Sequence, residues 1–156
     1  MARRTYDYYT KVVYCTTLTA GAPTTVQLNA GVDISTFVTK DGLRPGGSQN
    51  KVDQGDISTL FSAETIGTWK SDFELMLYRD FASDAAWDAF DTVGEVGYIV
   101  VRRGIAFSTA FASSQDVEVY AVQVGARIMG NSAADENQKF SVKFGVTSEP
   151  GYVAVA

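Results

Sequence analysis

Along most of the chain, apolar and polar side chains alternate with a period of two, the pattern of strands with one buried and one wet face. Residues 72–79 show it plainly: Phe73, Leu75 and Leu77 point one way, and Asp72, Glu74 and Met76 the other. The stretch 139–146 repeats the design, with Phe140, Val142, Phe144 and Val146 inward and Lys139, Ser141 and Lys143 outward. Residues 117–128 read as a longer strand, with Val117, Val119 and Ala121 on one face and Tyr120, Val122 and Val124 on the other. A strand apolar on both faces needs cover on both sides. Further strands are predicted at 12–19, 24–28, 33–38, 54–61 and 96–103, and 130–137 is the loop of an antiparallel hairpin.

One helix interrupts the strands, predicted over 83–93. Ser83 serves as N-cap, Asp84 favours the first turn, Ala86, Trp87 and Phe90 make one apolar stripe, and Gly94 ends it. So short a helix must dock Trp87 and Phe90 on the sheets, which makes that pair a packing anchor before anything else. Two kinds of segment do not read as core. Residues 40–54 hold Gly42, Pro45, Gly46 and Gly47, with Leu43 and Val52 almost alone as apolar groups, and read as a long loop. The N-terminal arm, 1–14, carries Tyr6, Tyr8, Tyr9 and Tyr14, and the C-terminal arm, 151–156, ends in small apolar residues. Tyrosine-rich arms suit half-wet contacts, so Tyr6, Tyr8 and Tyr9, with Asp41, Gly42, Leu43, Arg44 and Pro45 of the loop, are the candidate assembly residues.

Composition narrows the chemistry. The chain has 156 residues, suited to one domain, with 46% hydrophobic and 20% charged residues, an ordinary globular balance. Its apolar runs are too short to span a bilayer as a helix, so no membrane anchor is expected. Arg3 and Arg4 precede polar and aromatic residues, unlike a secretory signal. The single cysteine, Cys15, excludes an intramolecular disulfide and fits a reducing compartment. There is no histidine, which removes Ser-His-Asp and Cys-His catalysis and His-ligated zinc. The glycine-rich stretch 42–47 lacks the Lys-Ser or Lys-Thr of a phosphate-binding loop. No catalytic residue, metal site or cofactor is therefore expected. A carboxylate pair such as Glu74 and Glu118 could serve glycoside hydrolysis, but both fit better as solvent-facing charges on strands. A net charge of -5 argues against a protein that grips nucleic acid.

The order of landmarks carries a resemblance. Asp-Gly-Leu-Arg-Pro-Gly-Gly at 41–47 is followed by Phe-Glu-Leu-Met-Leu-Tyr-Arg-Asp at 73–80 and Ala-Trp-Asp-Ala-Phe at 86–90. Then come Gly-Tyr-Ile-Val-Val-Arg-Arg-Gly at 97–104, Asp-Val-Glu-Val-Tyr at 116–120, Gly-Ala-Arg at 125–127, Lys-Phe-Ser-Val at 139–142 and Val-Thr-Ser-Glu-Pro-Gly at 146–151. In this series the chain resembles the major tail, or tail tube, proteins of long-tailed bacteriophages, particularly those of phages of actinobacteria. The resemblance implies a two-sheet antiparallel β-sandwich or flattened barrel with one flanking helix. It implies homohexameric rings that stack into a tube through the long loop and terminal arms, in the virion tail after assembly in the host cytoplasm. Tail tip, tape-measure and terminator proteins would be the other partners, and DNA would pass through the lumen without sequence-specific binding. Asp72, Glu74, Lys139 and Lys143 are the candidate lumen-facing residues. Competing readings are a contractile-tail tube, a tail terminator, a decoration protein, or a carbohydrate-binding module using Trp69 and Tyr78.

Overall fold

The computed structural model describes Thr5 and residues 7–156. Among these residues nine strands and two short helices follow one another: β1 (Thr10–Cys15), α1 (Thr25–Asn29), β2 (Val32–Asp33), β3 (Val38–Asp53), β4 (Glu64–Tyr78), α2 (Ala85–Ala89), β5 (Val96–Arg103), β6 (Asp116–Gln123), β7 (Arg127–Met129), β8 (Lys139–Val146) and β9 (Gly151–Ala154). Every strand pairing is antiparallel, in the order β2-β1-β5-β6-β8-β4-β3, with β9 on β6 and β7 on β8. The expected mostly-β sandwich or flattened barrel is what forms. β6 joins its two leaves: β9 takes Asp116–Val119, and β8 reaches only Val122 and Gln123. One leaf is then β2-β1-β5-β6-β9, and the other is β7-β8-β4-β3.

Between the leaves lies the main core. Phe73, Leu75 and Leu77 of β4 meet Phe140, Val142 and Phe144 of β8, against Val12, Tyr14, Ile99, Val101, Tyr120 and Val122 of the first leaf. The period-two reading of β4 and β8 therefore holds side chain by side chain. The first leaf is buried on its other face too: Val13, Cys15, Val100, Val117 and Val119 are covered by Leu18, Leu28 of α1, Phe111 and Val155. That is the double cover the 117–128 pattern requires, although the strand there is not continuous. It breaks at 124–126, where any side chain on Gly125 would collide with the Lys143 carbonyl, and resumes as β7 beside β8.

Arg102 organises the second core. It is completely buried, and its guanidinium donates to the carbonyls of Ala106 (2.9 Å), Thr109 (2.8 Å) and Ala110 (3.1 Å) and to Gln115 Oε1 (3.0 Å). It also stacks over Phe111, at 4.9 Å from the ring centroid. One side chain thus satisfies the turn carbonyls between β5 and β6, which would otherwise lose water without a donor.

Several expectations are corrected. Residues 24–28 are not a strand: Thr24 accepts from the Gln27 N–H (3.3 Å) and Gln27 Oε1 accepts from the Thr24 N–H (3.2 Å), a capping box that starts α1 despite two β-branched residues. Within 33–38 only the ends are extended, because Asp33 Oδ1 accepts from both the Ser35 N–H (3.0 Å) and hydroxyl (2.6 Å) and folds a turn. Residues 54–61 are the tip of the β3–β4 hairpin, not a strand. The segment 40–54 is not a loop, since it forms most of β3. Its polar and glycine positions are held by backbone pairing to β4 rather than by burial of its own side chains. The N-terminal arm is shorter than 1–14, for 10–14 belong to β1 and Tyr14 is core. Nor is 151–156 an arm, as β9 pairs with β6 and Val155 is buried. The helix is 85–89 with Asp84, not Ser83, at its N-cap, and Asp84 pairs with Arg79 instead of capping the helix with its side chain. Gly94 does adopt a positive φ (90°), but in the turn beyond the helix.

Candidate assembly interface

The outer part of the β3–β4 hairpin is the feature with no cover of its own. β4 pairs with β8 from Asp72 to Tyr78 only, and β3 is the last strand of its leaf. Residues 46–53 and 64–71 therefore extend as a two-stranded ribbon roughly 25 Å long, at 3.3 Å per residue, with both edges unpaired among the described strands. Such a ribbon is marginal alone in water.

At its end Ile57 (109% exposed), Leu60 (110%) and Phe61 (83%) point into solvent, with Val52 and Ile66 also exposed just behind them. Three adjacent large apolar groups exposed to this degree mark a contact surface rather than a folding error, because hydrogen bonds shape the tip around them. Asp53 accepts from the Gly55 N–H (2.7 Å) and the Ser62 hydroxyl, and Asp56 accepts from the Ser58 N–H (2.8 Å) and hydroxyl (2.5 Å). The Ser62 and Ser58 hydroxyls, with those N–H groups, hold both carboxyls below the usual carboxylate range, so the tip keeps its negative charge.

The predicted interface residues at 41–45 sit at the other end of β3, in a bulge where the register with β4 shifts between Val38 and Leu43. Gly42 is buried against the Met76 carbonyl and Thr39, where no side chain fits, so its role is local geometry. Asp41 accepts from the Thr39 hydroxyl (3.1 Å), which lowers its pKa, and pairs with Arg44 (3.6 Å). Leu43 packs on the main core, whereas Arg44 and Pro45 are exposed. Tyr8 is half exposed and stacks edge-on with Tyr9 and Phe107, with its own carbonyl and that of Tyr9 accepting from the N–H groups of Phe107 (3.0 Å) and Gly104 (2.8 Å). Tyr6 lies outside the described residues. The tyrosines and the 41–45 bulge are thus two surfaces, and the tip, which sequence reasoning took for a strand, is a third.

The four candidate lumen residues do come together. Asp72, Glu74, Lys139 and Lys143 all stand on the solvent face of β4 and β8, with Glu74 opposite Lys143 in register and Tyr78 opposite Lys139. Arg44 of β3, also opposite Glu74, reaches it at 3.8 Å, and Lys70 reaches Asp72 at 3.7 Å.

The other pairs named from sequence separate. Glu74 is held by Arg44, while Glu118, on the other leaf, is held by Arg103 (2.6 Å) and by the Tyr120 hydroxyl (3.1 Å), so they form no acid–base pair. Trp69 and Tyr78 stand nine residues apart on β4, roughly 30 Å, too far for one sugar platform. Trp69 instead lines a cleft of about 320 Å³ with Pro45, Tyr120, Pro150 and Tyr152. Trp87 is the anchor expected of it: it packs edge-on to Phe140 and is clasped between Arg79 (3.8 Å) and Arg127 (4.0 Å).

Known proteins place this geometry. The structure is similar to a chain in the cryo-EM structure of the anti-feeding prophage (AFP) baseplate, 6-fold symmetrised, with a TM-score of 0.61 at 10% identity over 99% of each chain. At that identity the likeness concerns the fold. No curated protein matches by sequence. A family described as phage tail tube protein matches residues 1–156, the whole chain. With its open-edged sheet and unsupported hairpin, the chain belongs to the phage tail tube protein family, a structural component of the virion tail.

Proposed function

We propose that this chain forms stacked homohexameric rings that make the wall of the tail tube, the conduit for DNA delivery, as a single tail-tube domain. The observation that carries the reading is the hairpin: a two-stranded ribbon with open edges and an apolar tip has a stable place only against other copies. The leaf β7-β8-β4-β3 also ends in strands that have no outer neighbour among the described ones, so it can continue into the next subunit and close a shared barrel. The six-fold symmetrised assembly that holds the similar chain supports six copies per ring. A closed ring without edges is also the cheapest way to protect such strands.

In this reading Tyr6, Tyr8 and Tyr9 and, from the bulge, Asp41, Arg44 and Pro45 lie at contacts between subunits, while Gly42 and Leu43 hold the bulge's shape from within. Asp72, Glu74, Lys139 and Lys143 face the lumen, through which DNA moves without sequence-specific binding. Contacts of this obligate kind bury on the order of 2,000–5,000 Å², most of it supplied by the hairpin and the sheet edges. Tail tip, tape-measure and terminator proteins would meet the ends of the tube, assembly would take place in the host cytoplasm, and the landmark order from 41 to 151 points to phages of actinobacteria. Negative-stain electron microscopy of the concentrated protein tests the proposal. Rings or hollow tubes with six-fold end views are expected, whereas a monomer that never polymerises, even with tail tip proteins added, would refute it.

A further inference from the structure

We infer that the solvent face of β3, β4 and β8 is a weak contact surface for the phosphate backbone of duplex DNA, with Glu74 as the residue that keeps the contact weak. The inference deepens the tube reading, on which its location in a lumen rests. The chain carries a net charge of -5 and would be expected to present an acidic wall. This face departs from that balance. Arg44, Lys70, Lys139 and Lys143 stand against three carboxylates, Asp41, Asp72 and Glu74, so a face of an acidic protein carries an excess of cations.

The arrangement of those charges matters more than their sum. Arg44, Glu74 and Lys143 occupy one cross-strand row, positive, negative, positive, with the carboxylate in the middle and within 3.8 Å of Arg44. Lys70 is paired with Asp72, whereas Lys139 lies over the Tyr78 ring and closes no ion pair within 4.0 Å among the described residues. A row of this kind attracts a passing phosphate to its cations and repels it from its centre. The net effect at physiological salt is contact without retention, since exposed charges are screened over ~8 Å. Each phosphate neutralised by a freed cation would add to affinity and to its salt dependence. Glu74 pairs with Arg44 and stands opposite Lys143 in register, so its charge sets how far these two cations are offset.

The test uses the full chain as unassembled subunits and a fluorescent duplex of about 20 base pairs, with affinity read by polarisation across a salt series starting near 50 mM. The wild-type protein should bind weakly and lose binding as salt rises. Glu74→Gln should tighten binding about fivefold and steepen the slope of log affinity against log salt by about 0.9, the value for one more phosphate contact. Asp72→Asn, at an exposed position paired with Lys70, should act in the same direction if Glu74→Gln proves poorly folded. Lys139→Gln with Lys143→Gln should abolish binding in either background. Unchanged affinity in both carboxylate variants, or binding that survives the double lysine change, overturns the inference. So does a labelled polyglutamate peptide binding as tightly as the duplex, which would assign the face to an acidic protein surface. Microscopy separates the two claims: tubes without any duplex contact keep the tube and remove this inference, and duplex contact without tubes keeps the contact face.

Discussion

The first leaf and the outer hairpin are made of the same backbone pairing and differ in what covers it. In the leaf β2-β1-β5-β6-β9 both faces are closed, one by the second leaf and one by α1, Phe111 and the turns gathered around Arg102. In the ribbon 46–53 with 64–71 neither edge is paired among the described strands, and Val52, Ile66 and Trp69 stay exposed, as do Ile57, Leu60 and Phe61 at its tip. The difference separates two sources of stability. The leaf is stabilised within one chain, and in the proposed tube the ribbon is covered by other chains. A tube subunit needs both: a body that folds before assembly and an element whose apolar surface is satisfied only by assembly.

The comparison can be broken most severely at the core. Phe140→Ala removes a fully buried ring that touches Trp87, and should destabilise the subunit by about 3–5 kcal/mol in urea unfolding. Arg102→Leu leaves the carbonyls of Ala106, Thr109 and Ala110 without their donor. Its expected loss is about 2–3 kcal/mol, with amide exchange raised across 104–115.

Alkaline pH probes the closed leaf more gently. Burial pushes the Cys15 thiol up to about 11 and the Tyr14 hydroxyl up to about 12, the latter helped by the nearby Glu95. Both groups are neutral in the fold and lose their protons sooner in the unfolded chain, so native protein binds more protons and stability falls as pH rises. The decline should begin near the ordinary thiol value and run to about pH 12, at up to about 1.4 kcal/mol per pH unit per group. Cys15→Ala should remove its early part, seen as a later fall in melting temperature. The smallest effect on folding belongs to the tip: Ile57→Ser, Leu60→Ser and Phe61→Ser together should change subunit stability by no more than about 0.5 kcal/mol while preventing tube growth. Tube growth at the wild-type rate, scored by microscopy, would remove the tip from the assembly contacts.

What could be read from sequence follows the same division. β5 and β8 coincide with the predicted 96–103 and 139–146 because burial on one or both faces writes itself into the alternation of Val, Ile and Phe with polar residues. β3 leaves no such trace: beyond Leu43 both its faces are wet, and it is a strand only because β4 pairs with it. The glycines and proline of 42–47 therefore looked like a loop. α1 is legible in Thr24 and Gln27, whose capping pattern competes with the strand preference of the β-branched Thr25 and Val26. The outward direction of Asp72, Glu74, Lys139 and Lys143 was likewise readable strand by strand. That Glu74 sits between Arg44 and Lys143 was not, because register across three strands is a tertiary fact. The tip was missed for the reverse reason: Ile57, Leu60 and Phe61 match a strand pattern, and nothing local says that no sheet receives them.

The central claim is that the ribbon gains its cover from other copies, and amide hydrogen exchange on isolated subunits and on assembled tubes measures it directly. Residues 46–53 and 64–71 should exchange freely in the subunit and become protected in the tube, while 96–103 stay equally protected in both. Equal protection of the ribbon in the two states would contradict the account, since the hairpin would then be stable by itself and the tube would have to be held by other contacts.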